Sequence, residues 1–244
     1  MRRLYAGLLA ALLAGSASAG WRSAGNVDAV TTSGDTTALL RAGESTLAIT
    51  VCADDVMRIR FSPSPAAGAD RSWAVVRRSW PPRNVRFTDG PSDFRVTTAR
   101  MSLVVRKSPL RLTFCDSSGT VIASDDSSLG MCWNGSEVSA YRTMPPGEQY
   151  YGFGEKGGDI RKRNTAMTMW NSDIPAYGAE TDPLYEDIPF FLGIREGKAY
   201  GIFFDNPART WFDLGKESRR RYAFGAESGA IDYYFFSGPS TKQI

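Results

Sequence analysis

The sequence predicts an all-β protein, an antiparallel β-sandwich with one long loop at about residues 155–187. Three observations predict it. Short runs of β-branched and aromatic residues recur between tight turn signals, and no segment before the C-terminus holds a helical period. Two late runs, 188–194 and 199–205, are apolar or aromatic almost throughout, as expected of central strands covered on both faces.

In chain order, Arg2 and Arg3 precede an apolar run over 4–14 and the small residues Ala17-Ser18-Ala19. This is a signal-peptide pattern, so the chain is expected to be exported, to the periplasm or outside, after cleavage near Ala19. The apolar run is too short to span a bilayer, and no other segment reaches ~20 apolar residues, so no membrane span is expected. Residues 20–45, rich in Ser, Thr, Gly and Ala, read as an irregular lead-in with one strand at most. The sandwich is expected over 46–238.

Runs 46–51 and 56–61 pair as a hairpin across Asp54-Asp55, and in the second Met57, Ile59 and Phe61 alternate with Arg58 and Arg60, the period of a half-buried strand. The stretch 62–82 is broken by prolines and reads as a loop excursion. Runs 94–98, 101–106, 110–114 and 120–123, divided by short turn-like segments, make a meander and hence a two-sheet sandwich. Past the long loop, 188–194 and 199–205 flank the turn Arg195-Glu196-Gly197-Lys198, and 210–214, 221–224 and 230–236 complete the sheet. Phe203 is expected in the core. Residues 239–244 read as a strand exit and the start of a helix, the beginning of a connector to something further.

Composition limits the function. Hydrophobic residues at 42% and charged residues at 23% are ordinary for a globular chain and give no support for disorder. A net charge of +3 gives no ground for nucleic-acid binding, and Arg161-Lys162-Arg163 and Arg219-Arg220-Arg221 read as solvated surface. The absence of histidine excludes any mechanism with a histidine base or metal ligand. Cys52, Cys115 and Cys132 lack zinc-site spacing; Cys115 and Cys132 could bridge in an oxidising compartment, with one cysteine left over. No metal or other cofactor is expected.

The stretch 150–185 mixes aromatic rings, glycines and carboxylates without an apolar period long enough to bury itself. Rings cover the C–H faces of a sugar while carboxylates accept from its hydroxyls. On residue type alone, Asp173 in Asn-Ser-Asp-Ile-Pro reads as a turn former, Glu155 as a strand-end carboxylate bonded to nearby amides, and Trp170 equally as core packing or as a sugar platform. The adjacent pairs Asp54-Asp55 and Asp125-Asp126 read as turn residues, so no carboxylate pair suited to hydrolysing a glycoside stands out.

Five blocks in order carry a family resemblance: Tyr151-Gly152-Phe153-Gly154-Glu155, Met169-Trp170-Asn171-Ser172-Asp173, Thr181-Asp182-Pro183-Leu184-Tyr185, Ile188-Pro189-Phe190-Phe191 and Tyr200-Gly201-Ile202-Phe203-Phe204-Asp205-Asn206. The chain resembles the N-terminal β-sandwich of glycoside hydrolase family 31, the α-glucosidase and α-xylosidase group. The resemblance implies a galactose-mutarotase-like sandwich that packs on a catalytic (β/α)8 barrel, in cis or as a separate chain, and lends its long loop to an α-glycoside site. It implies substrate contact for Asp173 and, more weakly, for Trp170 and Asn171. The family's catalytic carboxylates sit on the barrel, which this sequence lacks, so the chain alone is expected to be inactive. A free-standing carbohydrate-binding module is the alternative; an active epimerase of the mutarotase type is disfavoured, because its chemistry uses histidine.

Overall fold

The computed structural model describes residues 20–64, 70–77, 79–81 and 84–244. The signal peptide expected over 1–19, and part of the excursion at 62–82, lie outside the described residues. The described chain is built from antiparallel strands. In order these are β1 (Arg22–Ser23), β2 (Ala29–Ser33), β3 (Thr37–Ala42), β4 (Ser45–Ala53), β5 (Val56–Ser62), β6 (Arg86–Asp89), β7 (Asp93–Thr97), β8 (Met101–Lys107), β9 (Leu110–Asp116) and β10 (Val121–Ser124). There follow β11 (Met131–Asn134), β12 (Glu137–Thr143), β13 (Gln149–Gly154), β14 (Ala166–Met169), β15 (Asp187–Arg195), β16 (Lys198–Phe204), β17 (Thr210–Asp213), β18 (Arg221–Ala226) and β19 (Ile231–Gly238), then a 3-10 turn at Thr241–Gln243.

The strands form three sheets rather than the expected two. An eight-stranded sheet runs β13-β15-β16-β19-β5-β4-β3-β2, a six-stranded one β1-β11-β12-β18-β17-β14, and a five-stranded one β10-β9-β8-β7-β6. Aromatic contacts show how they stack. Phe114 of β9 lies 3.9 Å, ring to ring, on Phe235 of β19, and Phe224 of β18 packs 5.1 Å from Phe204 of β16. Both smaller sheets therefore cover the same face of the large one, and the sandwich has two layers, the second of them split.

A buried ion pair closes the split. Asp125, just past β10, bridges to Arg142 of β12, with 3.3 Å between their charged atoms and both side chains 1% exposed. The other Asp125 oxygen accepts the Leu112 amide at 2.8 Å, and Arg142 donates to the Tyr233 hydroxyl at 2.9 Å. Asp125 was expected in a turn; only its neighbour Asp126 serves one, accepting the Ser128 and Leu129 amides.

The lead-in also differs from expectation. Residues 20–45 carry β1, β2 and β3, two of them continuing the large sheet through hairpins at Gly34 and Gly43. In β3 the inward positions are Ala38, Leu40 and Ala42, so the burial alternates while the hydrophobic signal stays weak. The hairpin of β11 and β12 also lies outside the expected strands, although Asn134-Gly135, with Gly135 at φ 60°, is a strong hairpin signal.

Register decides which aromatics are core. Phe191, Ile202, Phe235 and Met57 stand opposite one another across β15, β16, β19 and β5, each fully buried. Phe203 is one residue out of phase with that row, and lies with Phe190 and Tyr234 on the outer face, half-buried. Its placement in the core is corrected accordingly. Cys52, Cys115 and Cys132 are buried free thiols, so the Cys115–Cys132 bridge does not form. Burial pushes Cys132 up to about 11 and Cys52 up to about 12. No helix among the described residues is long and apolar enough to cross a membrane.

Between the layers, Glu148 is 2% exposed, and its Oε1 accepts the hydroxyls of Tyr150 and Tyr200, each at 2.8 Å. Burial pushes this carboxyl above its ordinary 4.5, against the opposing pull of the two hydroxyls. The folded chain then holds the proton more tightly than the unfolded chain, so folding stability falls as pH rises from 4.5 through the raised value. Glu148→Gln has no proton to lose. Urea unfolding near pH 4 and near pH 7 is expected to show the variant gaining on wild type toward the higher pH. A gain that shrinks toward pH 7 would reverse the assignment.

Candidate functional site

The long loop begins at a kink in β13 that only glycine permits. Gly152 sits at φ 124° and Gly154 at φ 74°, either side of a register shift against β15. A Cβ on Gly152 would come 2.6 Å from the Phe190 carbonyl oxygen, and one on Gly154 would strike that of Glu186. Between them Phe153, also at positive φ, is held by ring contacts with Phe191 at 5.3 Å and Phe212 at 5.0 Å. The chain leaves the sheet here in a fixed direction.

The loop's base is pinned by one lysine. Lys156, its side chain 4% exposed, places Nζ 2.6 Å from Asp182 Oδ1 and 2.6 Å from Asp187 Oδ1, and donates to the Thr168 carbonyl at 2.6 Å. The other carboxylate oxygens accept backbone amides: Asp182 that of Thr168 at 2.6 Å, Asp187 that of Trp170 at 2.7 Å. Lys156 thus joins the start, middle and end of the loop in one cluster. Lys162, read as surface, is 6% exposed and donates to the Gly157 and Lys156 carbonyls. Arg163 donates to the Glu148 carbonyl at 2.6 Å, which leaves Arg161 as the solvated member of that run.

The loop is not wholly irregular. Met167 and Met169 point inward from β14, which pairs with β17 at the edge of the six-stranded sheet. The side chains that follow face out. Trp170 is 50% exposed and Tyr177 57%, which excludes core packing for Trp170. Tyr177 meets Tyr185 edge-on at 5.8 Å, and the Tyr185 hydroxyl donates to the Ile174 carbonyl at 2.6 Å, so these rings are held rather than loose.

The three candidates fare differently. Asp173 is exposed, and its carboxylate bonds no described residue, unlike a turn former, which would cap nearby amides. Asn171 spends its Oδ1 on the Asp187 amide at 2.8 Å, a contact that shapes the loop and leaves its Nδ2 for other partners. Trp170 and Asn171 line a shallow depression of about 310 Å³ with Pro189 and Asn206; Asp173 does not line it. Glu155, expected to bond nearby amides, bonds none among the described residues through its carboxylate. Lys156, Asp182 and Asp187 were missed as a group. Their sequence separations, 26 and 31 residues from the lysine, carry no local signal.

The arrangement presents rings and a free carboxylate on a rigid base, the chemistry that receives hydroxylated ring compounds. Comparison with known proteins agrees with the blocks in the sequence. Residues 46–213 match the family model described as glycosyl hydrolase 31 N-terminal galactose mutarotase-like domain. The α-glucosidase 2 of Bacillus thermoamyloliquefaciens is 38% identical over 195 residues, which span 78% of this chain and 24% of that protein. An isomaltosyltransferase of Sporosarcina globispora is 25% identical across 92% of this chain and 21% of its own. Among solved structures, a dextranase of Flavobacterium johnsoniae complexed with isomaltotriose superposes with a TM-score of 0.84 at 33% identity, over 91% of this chain and 27% of that one. The chain spans about a quarter of the length of these relatives.

Proposed function

The chain belongs to the galactose mutarotase-like N-terminal domains of glycoside hydrolase family 31, and from that premise we propose that it works as the N-terminal domain of an exported α-glucosidase-like enzyme. It supports a catalytic (β/α)8 barrel, in cis or as a separate chain, and lends the loop at 155–187 to the sugar. The carrying observation is the loop itself, whose exposed Trp170 and unpaired Asp173 stand on a base locked by buried Lys156. A carboxylate left without a partner beside held aromatic rings is disposed to accept from a ligand hydroxyl. Hydrolysis itself requires two carboxyl groups ~5 to 10 Å apart across the glycosidic bond, a role the barrel supplies, so the chain alone is inactive.

The test is Asp173→Ala in the barrel-containing protein. Losing one charged hydrogen bond to substrate lowers kcat/KM by the equivalent of ~1.5 to 3 kcal/mol, while the thermal midpoint stays unchanged because the Asp173 carboxylate bonds none of the described residues. A drop in stability with normal kinetics would remove the substrate role. The free-standing module predicts instead that the chain by itself binds α-glucosides at the loop and that Asp173→Ala abolishes this. Export through residues 1–19 is checked by the mass of the secreted product, which should begin near Gly20.

A further inference from the structure

A second cavity, of about 380 Å³, opens at the other end of the same strands. Glu148, just before β13, and Arg195, at the end of β15, line it, whereas the loop is anchored at Asp187, the first residue of β15. The eight steps from Asp187 to Arg195 put roughly 26 Å between the two places, at about 3.3 Å per residue. The cavity is therefore separate from the loop site.

Its chemistry is specific. Glu148 uses Oε1 for both tyrosine hydroxyls, while its second oxygen accepts no hydrogen bond from any described residue. That oxygen belongs to a side chain almost wholly buried yet lining the cavity. Tyr200, which holds Glu148, lines it too, and Val121, Ile122 and Pro239 supply apolar wall. Arg100, Arg195 and Lys198 line it as well, and so do Glu196 and Asp116, the latter paired with Lys198 at 3.1 Å.

These charges select by elimination. An anion reaching the Glu148 oxygen would meet a buried carboxylate, and with Arg100, Arg195 and Lys198 balanced in the lining by Asp116, Glu148 and Glu196, no net charge draws an ion of either sign. A neutral hydroxyl donor needs no such draw, and the apolar wall suits the C–H face of a saturated ring. The volume fits one such ring with its substituents. We propose that this cavity is a second binding site, for a neutral pyranose-sized polyol whose hydroxyl donates to the free oxygen of Glu148.

Isothermal titration of the whole chain at neutral pH tests it, with glucose as the neutral probe, inorganic phosphate as the anion and ethanolamine as the cation. Glucose is expected to bind in the millimolar range and the two ions not at all. Glu148→Gln should weaken glucose about tenfold or more, because the amide cannot reproduce a charged acceptor. Val121→Trp, made at a position 47% exposed where a larger side chain is tolerated, should close the mouth and abolish binding. The proposal is overturned if glucose gives no binding, if an ion binds in its place, or if glucose binding ignores Val121→Trp and disappears in Asp173→Ala. That last result would put the sugar on the loop, in favour of the loop reading and against this one.

Discussion

Lys156→Met is expected to destabilise the chain by ~3 to 5 kcal/mol and to release the long loop. The magnitude follows from what the lysine leaves behind. Asp187 has a fully buried side chain, and Asp182 is 29% exposed; both lie 2.6 Å from Nζ. Without the ammonium, Asp187 keeps one amide hydrogen bond, from Trp170, for a charge that no longer has a counter-ion. The cheapest relief is local: the loop opens and the carboxylates hydrate, at the cost of the contacts that hold Trp170, Tyr177 and Tyr185. Urea unfolding should therefore show a lower midpoint, and chymotrypsin should cut native protein after Trp170, Tyr177 or Tyr185 much faster than wild type. An unchanged midpoint together with an unchanged digest would refute the role of Lys156. In a barrel-containing protein the same variant should lose activity with Asp173 intact, since a carboxylate on a mobile loop cannot hold a fixed position.

Phe191→Ala should cost as much for a different reason. This ring is fully buried and meets five other rings: Phe153 at 5.3 Å, Tyr150, Phe212 and Tyr222 at 5.8 Å, and Tyr200 at 6.3 Å. Stiff rings from four other strands cannot collapse into the space, so both transfer energy and cavity energy are lost, ~3 to 5 kcal/mol together. Phe203→Ala is the control. It is half-buried on the outer face of β16 and should cost less than half as much. Equal losses in the two variants would mean that the register of β15 and β16 is one residue out.

Much of this protein is local, and so was legible. Alternation of apolar and polar residues in β5, and unbroken apolar runs in β15 and β16, follow from side chains projecting to opposite faces at every residue. Turn residues marked most strand ends within a residue or two. Where small side chains took the inward positions, as in β3, the same alternation was present but too faint to read. The ordered blocks from Tyr151 to Asn206 were also legible, and they carried the family to which the chain belongs.

Tertiary structure decided the rest, because those features depend on partners distant in sequence. The order β13-β15-β16-β19-β5 sets a strand near the C-terminus beside one near the N-terminus, and no local pattern encodes that choice. Closure of the split second layer depends on Asp125 meeting Arg142, and the aim of the loop on Lys156 meeting Asp182 and Asp187. By itself the sequence determined that strands form and which side chains alternate, since both are properties of a few consecutive residues. Only the folded chain determined which charges are buried together, because burial is a property of what lies opposite.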